Sequence, residues 1–212
     1  MIRNQLYSCP SCQLSCIARS DETILLTCRH CGTVISDNNA KKYSPAPVPE
    51  DWSFIQIGTK GIFNNKDFVV IGRIRFQLRN DYKNCWTIIY NDNQLGWLIE
   101  SMGSLAIFET KTYSLSVEHT SKLKANVVIK IGKDIKVTGE YVEKCETLSY
   151  EGEVGPWKDL STGFFMIQAS SNNGTVLMFT VRPQQDSLYI VGKKTDLQQL
   201  KLENSIEWNE WK

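Results

Sequence analysis

From Trp52 onward the chain alternates short β-branched and aromatic runs with turn residues. The runs are FVVIGRIRF, CWTIIY, LGWLIES, SLAIFE, NVVIKI, CETLSY, GFFMIQA, TVLMFTV and SLYIVG. Their length and β-branched content predict strands. Asn64-Asn65, Asn91-Asp92-Asn93 and Asn173-Gly174 fall between such runs, where residues that tolerate positive φ close tight hairpins. Consecutive strands joined by tight turns imply antiparallel sheets, so the fold class is all-β. No long window has a 3.6-residue apolar period, which confines helix to short pieces near Leu160 or in Asp196–Leu202.

The first stretch reads differently. Residues 1–36 carry the cysteines of a small module, and SDNNAKKYSPAPVPED follows with Pro45, Pro47 and Pro49 among polar residues. The boundaries drawn from this are a zinc ribbon at 1–36, a stiff linker at 37–51, an antiparallel β domain at 52–205 and a tail at 206–212. Within the body, Ile71–Glu109 aligns without gaps on Ile131–Ala169 with nine identities, among them Cys85 with Cys145 and Trp97 with Trp157. The match predicts an internal duplication, about 54–112 and 113–205, giving two similar small β-barrel-like units.

Cys9, Cys12, Cys28 and Cys31 form two Cys-x-x-Cys knuckles with fifteen residues between Cys12 and Cys28. Each knuckle delivers two thiolates at the bite a tetrahedral ion needs, so the pattern predicts a structural Zn²⁺ ribbon. Four thiolates leave no open position for water, which points to structure rather than catalysis. Some thirty-five residues bury too little core to fold alone, so metal binding must supply much of the module's stability. The two-module division predicts that losing the metal unfolds the ribbon while the body keeps its cooperative melt. Gly32 stands where positive φ is needed after the second knuckle, and Gln13 holds the matching place after the first. Cys16 reads as a small residue beside the knuckle, with a substitute ligand or a free thiol as alternatives. His30, between two ligands, would point away from the metal. Cys85 and Cys145 sit in apolar strands, as small buried hydrophobes do.

Charge and residue inventory narrow the functional classes. With 24 basic and 23 acidic side chains the net charge is +1, so no overall field draws the chain to nucleic acid or anionic lipid. No stretch has the apolar length of a membrane span and the N-terminus lacks a secretion signal, so the expected location is the cytoplasm, with membrane association only peripheral and through a partner. His30 and His119 are the only histidines, and no phosphate-cradling glycine loop is present, which leaves little material for an enzyme. Glu151 and Glu153 are the only tempting carboxylate pair, and a solvated turn around Gly152 accounts for them more simply. Candidate partner-binding groups are Arg73, Arg75 and Arg79 along one strand, and Trp208 with Trp211 in the closing SIEWNEWK. The arginines suit either a nucleic-acid face or an ordinary polar strand face; the tryptophans suit a partner or a fold back onto the body.

FVVIGRIRF, the Trp86 strand, GWLIES, EGEVGPW and YIVGKK together resemble the bacterial family known as domain of unknown function 4178, over about residues 54–202. Many members of that family are similar in carrying a CPxC…CxxC ribbon in front. The resemblance departs at TIIY, where the family has an acidic position, and at GEVGPW, where its pattern is GEL-P. It implies no established chemistry. Family genes lie beside membrane-stress proteins of the phage-shock protein A type and polyamine-synthase-like enzymes, so it implies a non-enzymatic accessory role in a membrane-stress or defence-like assembly. A protein partner for ribbon and body together is the expected function; a nucleic-acid-binding module using Arg19, Arg29 and the arginine strand is the alternative.

Overall fold

The computed structural model describes residues 5–36, 39–43, 53–131, 135–157 and 160–206, and for 39–43 the backbone alone. Trp208 and Trp211 lie outside the described residues. The ribbon region contains β1 (Gln5–Ser8), β2 (Ser15–Ala18), β3 (Leu25–Thr27), β4 (Val34–Ser36) and β5 (Asn39–Tyr43). The body contains β6 (Lys60–Phe63), β7 (Lys66–Leu78), β8 (Tyr82–Tyr90), β9 (Leu95–Ser101), β10 (Ser104–Leu115), the one-turn helix α1 (Val117–Thr120), β11 (Val128–Ile131), β12 (Ile135–Val154), β13 (Phe165–Ser170), β14 (Thr175–Val181), β15 (Ser187–Thr195) and the one-turn helix α2 (Leu197–Leu200). Every strand pairing is antiparallel.

Two four-stranded meanders, β7–β10 and β12–β15, meet edge to edge. β10 pairs with β15, and β12 pairs with β7, so the eight strands close on themselves. The expected halves therefore exist as meanders, yet they build one ring rather than two barrels. The 112/113 boundary falls inside β10. The sixty-residue offset does not match strand to strand: Trp97 is in β9 while Trp157 is in the loop after β12, and Cys85 and Cys145 lie in β8 and β12. Glycine, aromatic and β-branched residues recur wherever sheets turn and pack, so identities of these types follow residue chemistry rather than equivalent position.

Alternation along the strands decides which side chains face inward. Ile74, Phe76 and Leu78 of β7, Trp97 and Ile99 of β9, Met166 of β13 and Met178 of β14 share one buried cluster with Cys85 and Cys145. Trp157 and Phe164 from the β12–β13 connection join it, and the Trp157 ring meets Trp97 edge-on at 5.4 Å between centroids. The interior is thus filled with side chains. The outer faces are covered too. Ile55 and Leu200 close over Val70, Trp86, Ile88 and Leu98, while Leu123, Ile129 and Ile131 close over Ile167, Leu177 and Phe179. Burial on both faces explains why these strands read as nearly continuous apolar runs. A short helix does occur at α2, capped by the Asp196 carboxylate accepting from Gln199 N–H at 2.8 Å; among the described residues near Leu160 there is none.

The ribbon is not a separate body. β3 pairs with the last two residues of β12, Leu26 opposite Glu153 and Leu25 opposite Val154, and Ile24 N–H donates to Val154 O at 2.8 Å. Leu25 and Val34 belong to the same buried cluster as the barrel interior. Inside the proposed linker, β5 pairs back onto β4. These contacts revise the expectation that the body melts without regard to the metal.

Candidate metal centre

The four knuckle cysteines converge. Their sulfurs all lie within 4.8 Å of one another, with Cys9 Sγ 3.5 Å from Cys31 Sγ and Cys12 Sγ 3.7 Å from Cys28 Sγ. A zinc–sulfur bond of about 2.3 Å in a regular tetrahedron separates its thiolates by about 3.8 Å, so the donor set fits a four-coordinate ion of that size. Each knuckle is a tight turn: Gln13 N–H donates to Cys9 O at 2.8 Å and Gly32 N–H to Cys28 O at 2.9 Å. Gln13 and Gly32 occupy equivalent left-handed positions, φ 62° and 71°, so the first knuckle accepts a glutamine where the second has the glycine that suits this conformation.

The surroundings favour thiolates at Cys28 and Cys31 but not at Cys12, where a backbone hydrogen bond at Leu14 lowers the pKa yet burial and the thiols of Cys9, Cys31 and Cys28 outweigh it and push it up to about 12. Burial opposes ionisation of Cys28, but N–H groups of Cys31 and His30 directed at its sulfur prevail and lower its pKa. Thr33, through its hydroxyl and its N–H, holds Cys31 down to about 6. His30 is exposed and is not among the converging donors. Cys16 packs against the cluster from β2 without being one of the four.

Glu153 joins the site to the barrel. It is buried, and its Oε2 accepts from Arg19 N–H at 2.6 Å and from Thr23 Oγ1 at 3.3 Å. Burial raises its pKa, opposed by these donors and by the Arg19 charge. The solvated turn expected around Gly152 is therefore a strand crossing. Gly152 has φ 65° and a Cβ there would lie 2.5 Å from Ile71 O, while a Cβ on Gly72 would lie 2.0 Å from Glu153 O. Glu151, half-buried, leaves this joint and pairs with Arg73 at 2.8 Å.

The arginines lie on the face of β7 opposite Ile74, Phe76 and Leu78, but that face is covered rather than open. Arg73 and Arg75 are buried; the Arg73 guanidinium lies 4.5 Å from the Trp86 ring centroid and that of Arg75 lies 3.8 Å from Tyr82. Neither is open to a phosphate backbone. Arg79 is exposed just past the end of β7. His119 is exposed in α1, its Nδ1 2.9 Å from Ser116 Oγ.

Sequence reasoning missed two features. Lys83 is buried on β8, its ammonium bonded to Ser101 Oγ, 3.8 Å from Asp81 and 4.2 Å from the Tyr141 ring centroid. Burial pushes its pKa down to about 8, with Asp81 opposing. Only the register of three strands brings these groups together, so no local signal exists. The second is an exposed aliphatic face on the β1–β2 hairpin. Leu6 and Ile17 sit directly opposite one another, 68% and 52% exposed, with Leu14 at 48% beside the knuckle. A two-residue alternation in QLYS and SCIA was its only trace. Among the described residues, clefts of about 610, 400 and 390 Å³ open on the surface, the last between the ribbon and the barrel. No helix among them is long and apolar enough to cross a membrane. Comparison with protein-family models, with curated proteins and with solved structures gives no match.

Proposed function

We propose that this chain is a non-enzymatic, zinc-binding interaction protein whose ribbon hairpin is the contact face for a protein partner. The observation that carries the reading is the cross-strand pair Leu6 and Ile17 with Leu14, three large aliphatic side chains exposed on a hairpin that pairs with no other strand among the described residues. A cluster of this kind on a small module is a feature of interaction sites. Zinc is the ion that suits four thiolates at this spacing, and with all four positions filled it holds shape rather than activates water. The barrel supplies the rigid base on which the hairpin stands.

The nucleic-acid alternative loses the strand it relied on, because Arg73 and Arg75 are buried. What remains is Arg19 and Arg29 next to a thiolate cluster and the Glu153 carboxylate, a setting in which their charge is partly offset. The resemblance to the domain of unknown function 4178 family supports a partner within a membrane-stress assembly, reached from the cytoplasm, with the chain touching the membrane only through that partner.

The test compares native pull-downs of the parent chain and of Leu6→Asp with Ile17→Asp, both confirmed to hold one zinc per chain. A partner retained by the parent and lost from the double variant supports the reading. Equal recovery by both would refute it. Salt separates the alternative, since phosphate contacts weaken steeply with ionic strength whereas an apolar interface responds little.

A further inference from the structure

Five thiols, not four, meet at the ribbon. Cys16 is 9% exposed in β2, its sulfur 3.9 Å from Leu14 O, and it packs in one buried cluster with Cys9 and Cys28. The cleft of about 390 Å³ between ribbon and barrel is lined by both Cys16 and Cys28 and by none of the other three cluster cysteines. A small molecule entering there meets one candidate metal ligand and one sulfur outside the four-donor set in the same lining. Arg29 and Thr27 flank the same cleft.

We propose that Cys16 and Cys28 are a disulfide-forming pair, a modification site through which a hydroperoxide opens the metal centre. The inference rests on the zinc reading above. The Cys28 thiolate attacks the peroxide O–O bond; an S–O bond forms, the O–O bond breaks, hydroxide leaves, and two electrons pass from sulfur to the peroxide. The Cys16 thiol then gives up its proton and attacks the Cys28 sulfur, so that the S–S bond forms, the S–O bond breaks and water leaves. In total two thiols and one peroxide become a disulfide and two waters. Four thiols are engaged by the ion while it is bound, so Cys16 is the sulfur positioned to resolve the sulfenic acid without first displacing metal. Formation of the Cys16–Cys28 disulfide withdraws Cys28 from the donor set, so only three thiolates would remain to hold the ion and its release would follow this second step. Cys28 directly follows β3, so the change reaches the strand that joins ribbon to barrel.

The experiment uses the full chain. Its zinc content is measured first, and one zinc per chain is required of the parent. Hydrogen peroxide is then added below one equivalent. Free zinc is followed with a chromogenic chelator, and disulfides are mapped in a non-reducing tryptic digest, where cleavage at Arg19 separates Cys16 from Cys28 and fragmentation within the peptide ending at Arg19 tells Cys16 from Cys9 and Cys12. The expected first product is the Cys16–Cys28 disulfide, formed in step with zinc release and reversed by a dithiol. A first product joining ligand to ligand, or a Cys16 still open to alkylation after zinc has left, would overturn the proposal without touching the zinc reading. A parent chain without zinc would defeat that reading instead. In Cys16→Ser, zinc binding should persist, release should slow several-fold, and a sulfenic acid at Cys28 should become trappable by dimedone; release at the parental rate would also overturn it. The disulfide map of the parent needs no variant, so misfolding of Cys16→Ser leaves the test intact.

Discussion

Removing the metal should destabilise the barrel, not only the ribbon. Cys28→Ser takes away one of four ligands, and the ribbon has too little core of its own to survive the loss. Two of its side chains, Leu25 and Val34, are buried in the barrel's interior cluster at 9% and 1% exposure. Full burial of a leucine or valine contributes about 1.5–3 kcal/mol each, so withdrawing both costs the barrel about 3–6 kcal/mol. The β3–β12 pairing and the donors to Glu153 would go with them. For a chain of this length each kcal/mol moves Tm by about 2–4 °C, which predicts a fall on the order of 10 °C in the main transition. Differential scanning calorimetry of the zinc-loaded parent, the chelator-treated parent and Cys28→Ser, all under reducing conditions, reads this directly. A main transition unmoved within about one degree, beside a small separate transition that vanishes with the metal, would show that the shared core carries no coupling and that the ribbon is energetically independent.

Two further outcomes are expected. Gly72→Ala would place a Cβ 2.0 Å from Glu153 O and 2.3 Å from Glu153 N; backbone atoms at a strand crossing cannot step aside like a flexible side chain, so the variant should lose about 3 kcal/mol or more in denaturant unfolding, and a loss under about 1 kcal/mol would mean the crossing relaxes easily. Lys83, with its pKa pushed from 10.5 to about 8 by burial, binds fewer protons folded than unfolded between those values, so its contribution to stability rises as pH climbs from about 8 to 10.5; the parent-minus-Lys83→Met difference in unfolding free energy should show that upward slope, and a flat difference would mean the ammonium is solvated.

Much of this protein is legible along the chain because the signals involved are local. The four candidate ligands announce themselves by spacing, since a knuckle is a turn of a few residues whose bite depends on nothing distant. Strands such as TVLMFTV and SLYIVG are recognisable from β-branched and aromatic content, and the α2 turn lies within the segment expected to hold helix. Side-chain destination was less accessible. Arg73 and Arg75 look like a polar face in FVVIGRIRF, yet Trp86 and Tyr82 on the neighbouring strand cover them.

The sequence by itself determined the all-β class, the four cysteines that could hold a metal and the short length of any helix among the described residues, because each depends on residues within one element. Tertiary structure alone decided that two meanders close one ring, that Glu153 is a buried joint instead of part of a turn, that Lys83 meets Ser101 and Tyr141, and that Cys16 shares a cleft with Cys28. Antiparallel pairing follows a register between strands far apart in sequence, and the chain carries no local record of which edge will meet which. Long-range hydrogen bonding and burial choose among those partners only when the whole core forms together.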